Sequence, residues 1–296
     1  MAVDTSHTAT IPCTEFRFTS VDGLRIACSR WDSSAPVRGV VQIAHGMGEH
    51  IGRYAAVIDA LVSAGLTVYA NDHRGHGRTA RCHEELGDFG EGGFDLMVED
   101  MMRLTRIAKK ENHNQTLILL GHSMGSFAAQ QYVLEHSREI DGLVLSGSGV
   151  LDGLARVASS APSGKNILNA RFEPARTPFD WLSRDKSVVD AFMSDPLCFA
   201  QLQSASLASF LAAAPRLSDP INLGKIRADL PVYLFSGSED PVGQQLEGVE
   251  TLIARYCHAG IRDISCDLYP GGRHEMLNEI NRHEVLANLL SWISGT

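Results

Sequence analysis

Short apolar runs with strand character alternate with longer helical runs along most of the chain, and this alternation limits the possible folds more than any other feature. It is typical of parallel βαβ units. The run TLILLG is almost unbroken in apolar residues, as expected for a central strand covered on both faces. Helix candidates separate most of the strand candidates, which lie at 39–45, 66–72, 116–121, 142–148, 230–237 and 262–271.

Two segments depart from this alternation. Near the N-terminus, 15–20 and 24–31 flank the turn signal VDG, which predicts an antiparallel hairpin. Between about Leu151 and Pro220 there is no strand candidate, only helical pieces broken by Pro and Gly.

We therefore predict an α/β fold with a mostly parallel central sheet flanked by helices. Residues 1–150 and 221–296 form the core, and 151–220 form an inserted helical cap. The cap is expected over the carboxyl edge of the sheet, where ligands of open α/β sheets bind.

Composition argues against several functions. The net charge is −9 and the basic residues are scattered, which argues against nucleic acid as a partner and gives no attraction to anionic membranes. No run approaches the roughly 18 apolar residues of a membrane span, and the first 13 residues lack the pattern of a signal peptide. The six cysteines form no C-x-x-C pair. We expect free thiols in a reducing compartment and a soluble, cytoplasmic protein.

The sequence GHSMG at 121–125 lies between a predicted strand and a predicted helix, and it matches the G-x-S-x-G nucleophile elbow. In such a turn the serine takes a strained backbone conformation that lifts its hydroxyl clear of the sheet. The helix that follows directs its first amides and the positive end of its dipole toward a developing oxyanion. Ser123 is therefore the candidate nucleophile.

A serine nucleophile needs a base, and the base needs an acid that orients it. For this turn the expected chain order is Ser, then Asp or Glu, then His. Asp240 lies in a loop after one late strand, and His274 lies in a glycine-rich loop after the last strand. The alternatives are Glu239, Asp263 and Asp267 as acids, and His258 and His283 as bases.

The loop AHGMGEHIGRY at 44–54 follows a buried strand and begins with His-Gly, as an oxyanion loop does. We assign the two oxyanion donors to the backbone N–H groups of Met47 and Met124. The Met47 side chain could also line the acyl pocket. The alternative is that Gly46 and Gly48 only form a turn.

Two other clusters have the residue types of a ligand site. NDHRGHGRT at 71–79 groups Asp72, His73 and His76, and His45 and His50 could join them, but no zinc-binding spacing is present. A tight polar turn is the favoured interpretation, and we predict no metal. GSGVLDG at 147–153 has neither a phosphate-loop nor a Rossmann pattern, so no nucleotide is expected.

Five motifs resemble those of the monoacylglycerol lipase and lysophospholipase branch of the α/β-hydrolase superfamily, which also carries the serine-aminopeptidase (S33) label. They are HGMGEHIGRY, NDHRGHGRT, GHSMGS, GSEDPVG and GGRHEMLNE, in this order. The resemblance covers nearly the whole chain and implies the α/β-hydrolase fold with a helical cap over the pocket. It also implies Ser123, Asp240 and His274 as the catalytic triad and Met47 and Met124 as oxyanion donors, without a cofactor.

We predict a carboxylic ester hydrolase that cleaves a small-molecule acyl ester, such as a monoacylglycerol, through an acyl-enzyme. The negative charge favours glycerol esters over lysophospholipids, and the cap could contact a lipid interface transiently. Two alternatives stay open: a peptidase or amidase of the same fold, and a receptor that binds a small ligand without turnover. Apolar residues of the cap either contact the acyl chain or pack the cap onto the core, and they are Phe179, Trp181, Leu182, Leu207, Phe210 and Leu211.

Overall fold

The computed structural model describes residues 12–33, 35–160 and 166–296, and of residues 158–160 only the backbone. The prediction that the N-terminus lacks a signal peptide falls almost wholly on residues outside these ranges. All six cysteines lie within them as free thiols. Among the described helices, none has both the length and the apolarity that a membrane crossing requires.

The described residues form an eight-stranded sheet in the order β1-β2-β4-β3-β5-β6-β7-β8. Its strands are β1 (Cys13–Thr19), β2 (Arg25–Trp31), β3 (Gly39–Ala44), β4 (Leu66–Asn71), β5 (Leu117–His122), β6 (Gly142–Ser146), β7 (Val232–Gly237) and β8 (Ile264–Tyr269). The pairings β1–β2 and β2–β4 are antiparallel. The other pairings are parallel, so the predicted hairpin and the mostly parallel sheet are both confirmed.

Helices cover both faces of this sheet. They are α1 (Ala55–Ser63), α2 (Gly93–Glu111), α3 (Met124–His136), α4 (Leu151–Ser160), α5 (Lys186–Ser194), α6 (Ser204–Leu211), α7 (Ala214–Ser218), α8 (Pro220–Leu223), α9 (Glu247–His258) and α10 (Arg282–Gly295). The alternation of side chains along each strand divides the core into two layers. In β5, Leu119 faces the layer that contains α2, α3 and α9, whereas Leu120 faces the layer that contains α1 and α10.

The loops that follow β3, β5, β6, β7 and β8 emerge at one edge of the sheet, because these five strands are parallel. Those loops carry the predicted site residues, and β5, which precedes Ser123, is buried along its whole length. The sheet thus brings the predicted site residues from distant parts of the sequence to its carboxyl edge, where ligands of open α/β sheets bind.

The segment between β6 and β7 contains α4 to α8, and its described residues form no strand. It contacts three core loops. Phe89 and Phe94 donate backbone hydrogen bonds of 2.8 and 2.9 Å to serine hydroxyls of α6. The backbone N–H of Phe199 donates to the carbonyl of Gly48 at 3.0 Å. Arg184 forms an ion pair with Glu279, just beyond the loop that follows β8.

Candidate active site

Ser123 lies on a sharp turn between β5 and α3, with φ 53° and ψ −123°. A β-carbon on Gly121 would lie 2.5 Å from the carbonyl oxygen of Gly125, and one on Gly125 would lie 2.2 Å from that of Ala44. Both positions therefore require glycine, and this close approach holds the serine in its strained conformation. The Ser123 side chain is partly exposed.

The backbone amides of Met47 and Met124 donate to no acceptor among the described residues, and Met124 directly follows Ser123. Met124 is the first residue of α3, where amides have no intrahelical partner. On either side of Met47 the amides are satisfied: that of Gly46 donates to Glu49 at 2.6 Å, and that of Gly48 donates to His76 at 3.2 Å.

The loop that carries Met47 lies against the serine. A β-carbon on Gly46 would come within 3.1 Å of the Ser123 β-carbon. Two unpaired N–H groups close to a serine are the donors that an oxyanion hole requires.

Asp240 and His274 form a buried hydrogen bond of 2.9 Å between Oδ1 and Nδ1. A carboxylate can only accept, so Nδ1 carries the proton and Nε2 keeps its lone pair. Burial lowers the pKa of His274, but the charge and hydrogen bond of Asp240 raise it, and the net pKa lies above its ordinary value. The Asp240 carboxylate is itself fixed by the amide of Val242, at 2.9 Å.

Three neighbours enclose the imidazole of His274. Its ring centroid lies 4.8 Å from that of His122 and 4.8 Å from that of Trp181. A β-carbon on Gly147, which follows β6, would lie 2.9 Å from Cε1 of His274. Burial, followed by the charge of His274, lowers the pKa of His122 to about 4. His122 is therefore neutral near pH 7, so it adds no second positive charge beside His274.

A buried ionic network joins the loop after β3 to the loop after β8. Arg53 donates to Glu275 through two nitrogens, at 2.6 and 2.8 Å, and to Glu49 at 2.8 Å. Glu49 in turn accepts hydrogen bonds from Gly46 and from the Tyr54 hydroxyl, both at 2.6 Å. The network thus connects the residue that follows His274 with the turn that carries Met47.

The histidines of NDHRGHGRT and of the preceding loop form a polar scaffold. His45 accepts the amide of His73 at 3.0 Å, and His76 accepts that of Gly48. Asp72 accepts the amide of Ile51 at 3.0 Å and pairs with Arg78 at 2.8 Å. These contacts fix the loop conformations, as a tight polar turn requires.

One group in the described ranges has the donor types of a metal site: ligand atoms of His50, Asp195 and Cys198 all lie within 4.8 Å of one another. Nδ1 of His50 accepts the amide of Gly52 at 3.2 Å, so Nε2 carries the proton and donates to Asp195 at 2.9 Å. A metal would need that nitrogen unprotonated. The contact is therefore a hydrogen bond between the loop and the insertion.

The residues that the sequence offered as alternatives to Asp240 and His274 lie in different environments. Glu239 pairs with Arg171 at 3.1 Å, and Asp267 on β8 accepts the Tyr233 hydroxyl at 2.6 Å. The side chains of Asp263, His258 and His283 are exposed at the surface.

The candidate acyl-contact residues lie within packed clusters. Phe210 is buried, and its ring centroid is 5.1 Å from that of Phe94 and 5.8 Å from that of Phe127. Half-buried Leu207 and Leu211 pack against the same core cluster. Phe179 and Leu182 belong to a small cluster within the insertion, where the ring of Phe179 is 4.9 Å from that of Phe192.

Sequence reasoning missed four residues around the site: Glu49, Arg53, Trp181 as a neighbour of His274, and Glu275. The i, i+4 spacing of Glu49 and Arg53 was a detectable signal for their ion pair. Their contact with Glu275 had no such signal, because it joins residues 222 positions apart.

The chain is similar in sequence and in fold to known hydrolases. The family Hydrolase_4, described as serine aminopeptidase, S33, matches residues 35–281. A monoacylglycerol lipase of Mycolicibacterium smegmatis is 34% identical over 281 residues, covering 94% of this chain and 96% of the relative. A monoglyceride lipase of Mus musculus is 28% identical, covering 93% and 88%. A thermostable carboxyl esterase from Bacillus coagulans, solved with glycerol, superposes with a TM-score of 0.86 at 30% identity, over 97% of this chain and 99% of that one. The chain therefore belongs to the serine aminopeptidase, S33 family of α/β-hydrolases.

Proposed function

We propose that this protein is a carboxylic ester hydrolase in which Ser123, His274 and Asp240 act as a catalytic triad. The observation that carries the proposal is the buried 2.9 Å hydrogen bond between Asp240 and His274, at the sheet edge where Ser123 occupies its strained turn. That bond leaves the Nε2 lone pair available to take a proton from the serine hydroxyl. Hydrogen bonds between catalytic groups often tighten only when substrate binds.

The reaction would proceed in two acyl-transfer steps. His274 removes the proton of Ser123, whose oxygen attacks the ester carbonyl, and the amides of Met47 and Met124 stabilise the oxyanion. His274 then protonates the leaving alcohol, which departs and leaves an acyl-serine. In the second step His274 activates a water that releases the acid. Asp240 holds the imidazole in the required tautomer and stabilises its charged form.

The proposed substrate is a monoacylglycerol or a similar fatty-acyl ester. Two relatives named monoacylglycerol and monoglyceride lipase support this, since each aligns over more than nine-tenths of the chain. We also propose that residues 151–220 form a cap over the site. Contacts of this segment with the loops after β3 and β8 support that role.

We further propose a cytoplasmic location and transient contact of the cap with lipid. Six free thiols suit a reducing compartment. Met193 on α5 of the cap and Ile221 on α8, the residue that directly follows the cap, are large apolar side chains with 50% and 78% exposure. Co-sedimentation with zwitterionic vesicles tests the contact: Ile221→Ser and Met193→Ser should weaken it, and equal binding by wild type and variants would contradict it.

The function is tested with monoacylglycerols and p-nitrophenyl esters of graded chain length. Turnover should extend to long acyl chains and vanish in Ser123→Ala. Activity confined to acetate would contradict the fatty-acyl substrate. Release of proline from its β-naphthylamide without esterase activity would favour a peptidase, to which the family description points. Tight ligand binding with no fluorophosphonate labelling of Ser123 would favour a receptor.

A further inference from the structure

The indole of Trp181 belongs to the insertion, yet it lies against the imidazole of His274. The two ring centroids are 4.8 Å apart and the ring planes are tilted by 39°. The other aromatic neighbour of His274 is His122, which belongs to the core. One wall around the proposed base is therefore supplied by the segment that is also proposed to cover the substrate.

The backbone around Trp181 is hydrogen-bonded to the loop that follows β8 and carries His274. The carbonyl of Trp181 accepts the amide of His274 at 3.3 Å, and the carbonyl of Leu182 accepts that of Glu275 at 2.8 Å. On its other side, the Trp181 amide donates at 3.0 Å to the side chain of buried Asn169. The backbone of Trp181 is thus tied both to the loop that carries His274 and to Asn169, which fixes the point from which the indole reaches the imidazole.

We propose that Trp181 is a positioning residue for His274, so that the insertion orients the proposed base as well as covering the substrate. This inference rests on the proposed function. The bond to Asp240 fixes one nitrogen but still allows the imidazole to rock about that bond. An aromatic ring against the imidazole restricts this rocking and so limits the directions in which Nε2 can point.

The indole also favours the charged imidazole that forms during the reaction, because a cation within about 6 Å of an aromatic centroid is attracted by the ring. Other groups act on His274 from each neighbouring element. Asp240, Glu49 and Glu275 favour its charged form, whereas His122 would disfavour it if charged. Replacing the indole by an apolar leucine removes this attraction but keeps most of the burial that lowers the pKa of His274, so the pKa should fall while these four groups stay in place.

The test compares Trp181→Leu with Trp181→Phe, which keeps an aromatic ring. Trp31→Leu is the matched control, because Trp31 is a half-buried tryptophan on β2, away from the site. We expect Trp181→Leu to lower kcat about tenfold with KM within about twofold, and to move the acidic limb of the kcat/KM profile to lower pH. Trp181→Phe should restore most of kcat, and Trp31→Leu should match wild type.

Three results would overturn the inference: wild-type kcat and pH profile in Trp181→Leu, a loss confined to KM, or an equal loss in Trp31→Leu.

NMR titration of the His274 imidazole, assigned by comparison with His274→Gln, measures its pKa without turnover. If the wild type hydrolyses no ester, the proposed function fails. This titration still tests whether Trp181 acts on the imidazole of His274. A lower pKa in Trp181→Leu supports it and an unchanged pKa refutes it. If Trp181→Leu does not fold, the same titration is made on Trp181→Phe. A smaller decrease in the pKa of His274 then supports the inference, and an unchanged pKa refutes it.

Discussion

Arg53 binds the carboxylate of Glu275 with two hydrogen bonds, and the same guanidinium holds Glu49 near the turn that carries Met47. Arg53 and the two carboxylates are almost fully buried, with side-chain exposures of 9%, 4% and 4%. The cost of removing three charges from water has to be offset by their contacts, so the network depends on every member being present.

Arg53→Ala should destabilise the fold strongly, because it leaves two buried carboxylates without their counter-ion. Breaking such a network typically costs about 3–5 kcal/mol. Lys109→Ala is the control, since Lys109 and Glu139 form an exposed ion pair worth about 1 kcal/mol or less. Urea denaturation measures both, and similar losses in the two variants would contradict the role of the network.

Glu49 should make stability depend on acid pH. Burial raises the pKa of Glu49, but the charges of Arg53 and His122 outweigh it and lower the pKa from 4.5 to about 2. A group whose pKa is lowered by folding stabilises the fold above its unfolded pKa and loses that contribution as pH falls through the folded pKa.

The wild-type free energy of unfolding should therefore fall between pH 4.5 and about 2. The fall should exceed that of Glu49→Gln by about 3 kcal/mol. Urea denaturation at stepped pH measures the difference. Parallel pH curves for the two proteins would show that Glu49 titrates normally in the folded state.

The fold was readable from the sequence because its signals are local. Apolar runs separated by helices predicted the parallel strands, and turn residues predicted the hairpin. Glycine spacing predicted the position of the turn around Ser123. The pairing of β2 with β4 had no comparable signal, because strand order depends on packing between distant segments.

The insertion shows more clearly that packing between distant segments could not be predicted from the sequence. Its helical spacing placed Leu207, Phe210 and Leu211 on one face, but could not tell whether that face meets a ligand or the core. The packing of Phe210 against Phe94 and Phe127 depends on how α6 docks onto α2 and α3. No periodicity reveals that docking, just as none reveals that Trp181 lies against His274.

Ser123→Ala should lower kcat by about 10⁶-fold if the proposed triad acts as a unit, with stability little changed because only a hydroxyl is lost. Ser294→Ala on α10 removes an exposed hydroxyl far from the site and serves as the control. Ester turnover and fluorophosphonate labelling measure the effect. Substantial turnover in Ser123→Ala would rule out the serine mechanism.

Asp240→Asn and Glu239→Gln together identify the acid. An amide at 240 can donate to Nδ1 and so favours the wrong tautomer of His274, which should lower kcat about 10⁴-fold. Glu239 is 40% exposed and faces Arg171, so Glu239→Gln should change kcat little. Steady-state kinetics across the pH profile, compared at the plateau of each variant, separates this effect from protonation of His274, whose pKa the Asp240 charge raises. The reverse ranking of the two variants would assign the role to Glu239.

Gly48→Ala tests whether the insertion holds in place the loop that carries Met47, the proposed oxyanion donor. Gly48 has φ +70°, and a β-carbon there would lie 2.1 Å from the carbonyl oxygen of Phe199, so either the loop or the insertion must shift. Loss of one oxyanion donor costs about 10²–10³-fold in kcat, and we expect an effect of that order from a displaced Met47 amide. Gly260→Ala is the matched control, because φ there is +95° and nothing lies within 4 Å. That variant should lose only about 1 kcal/mol of stability and keep its kcat. Kinetics and thermal unfolding of both variants make the comparison, and equal kcat values would show that the contact with Phe199 does not position Met47.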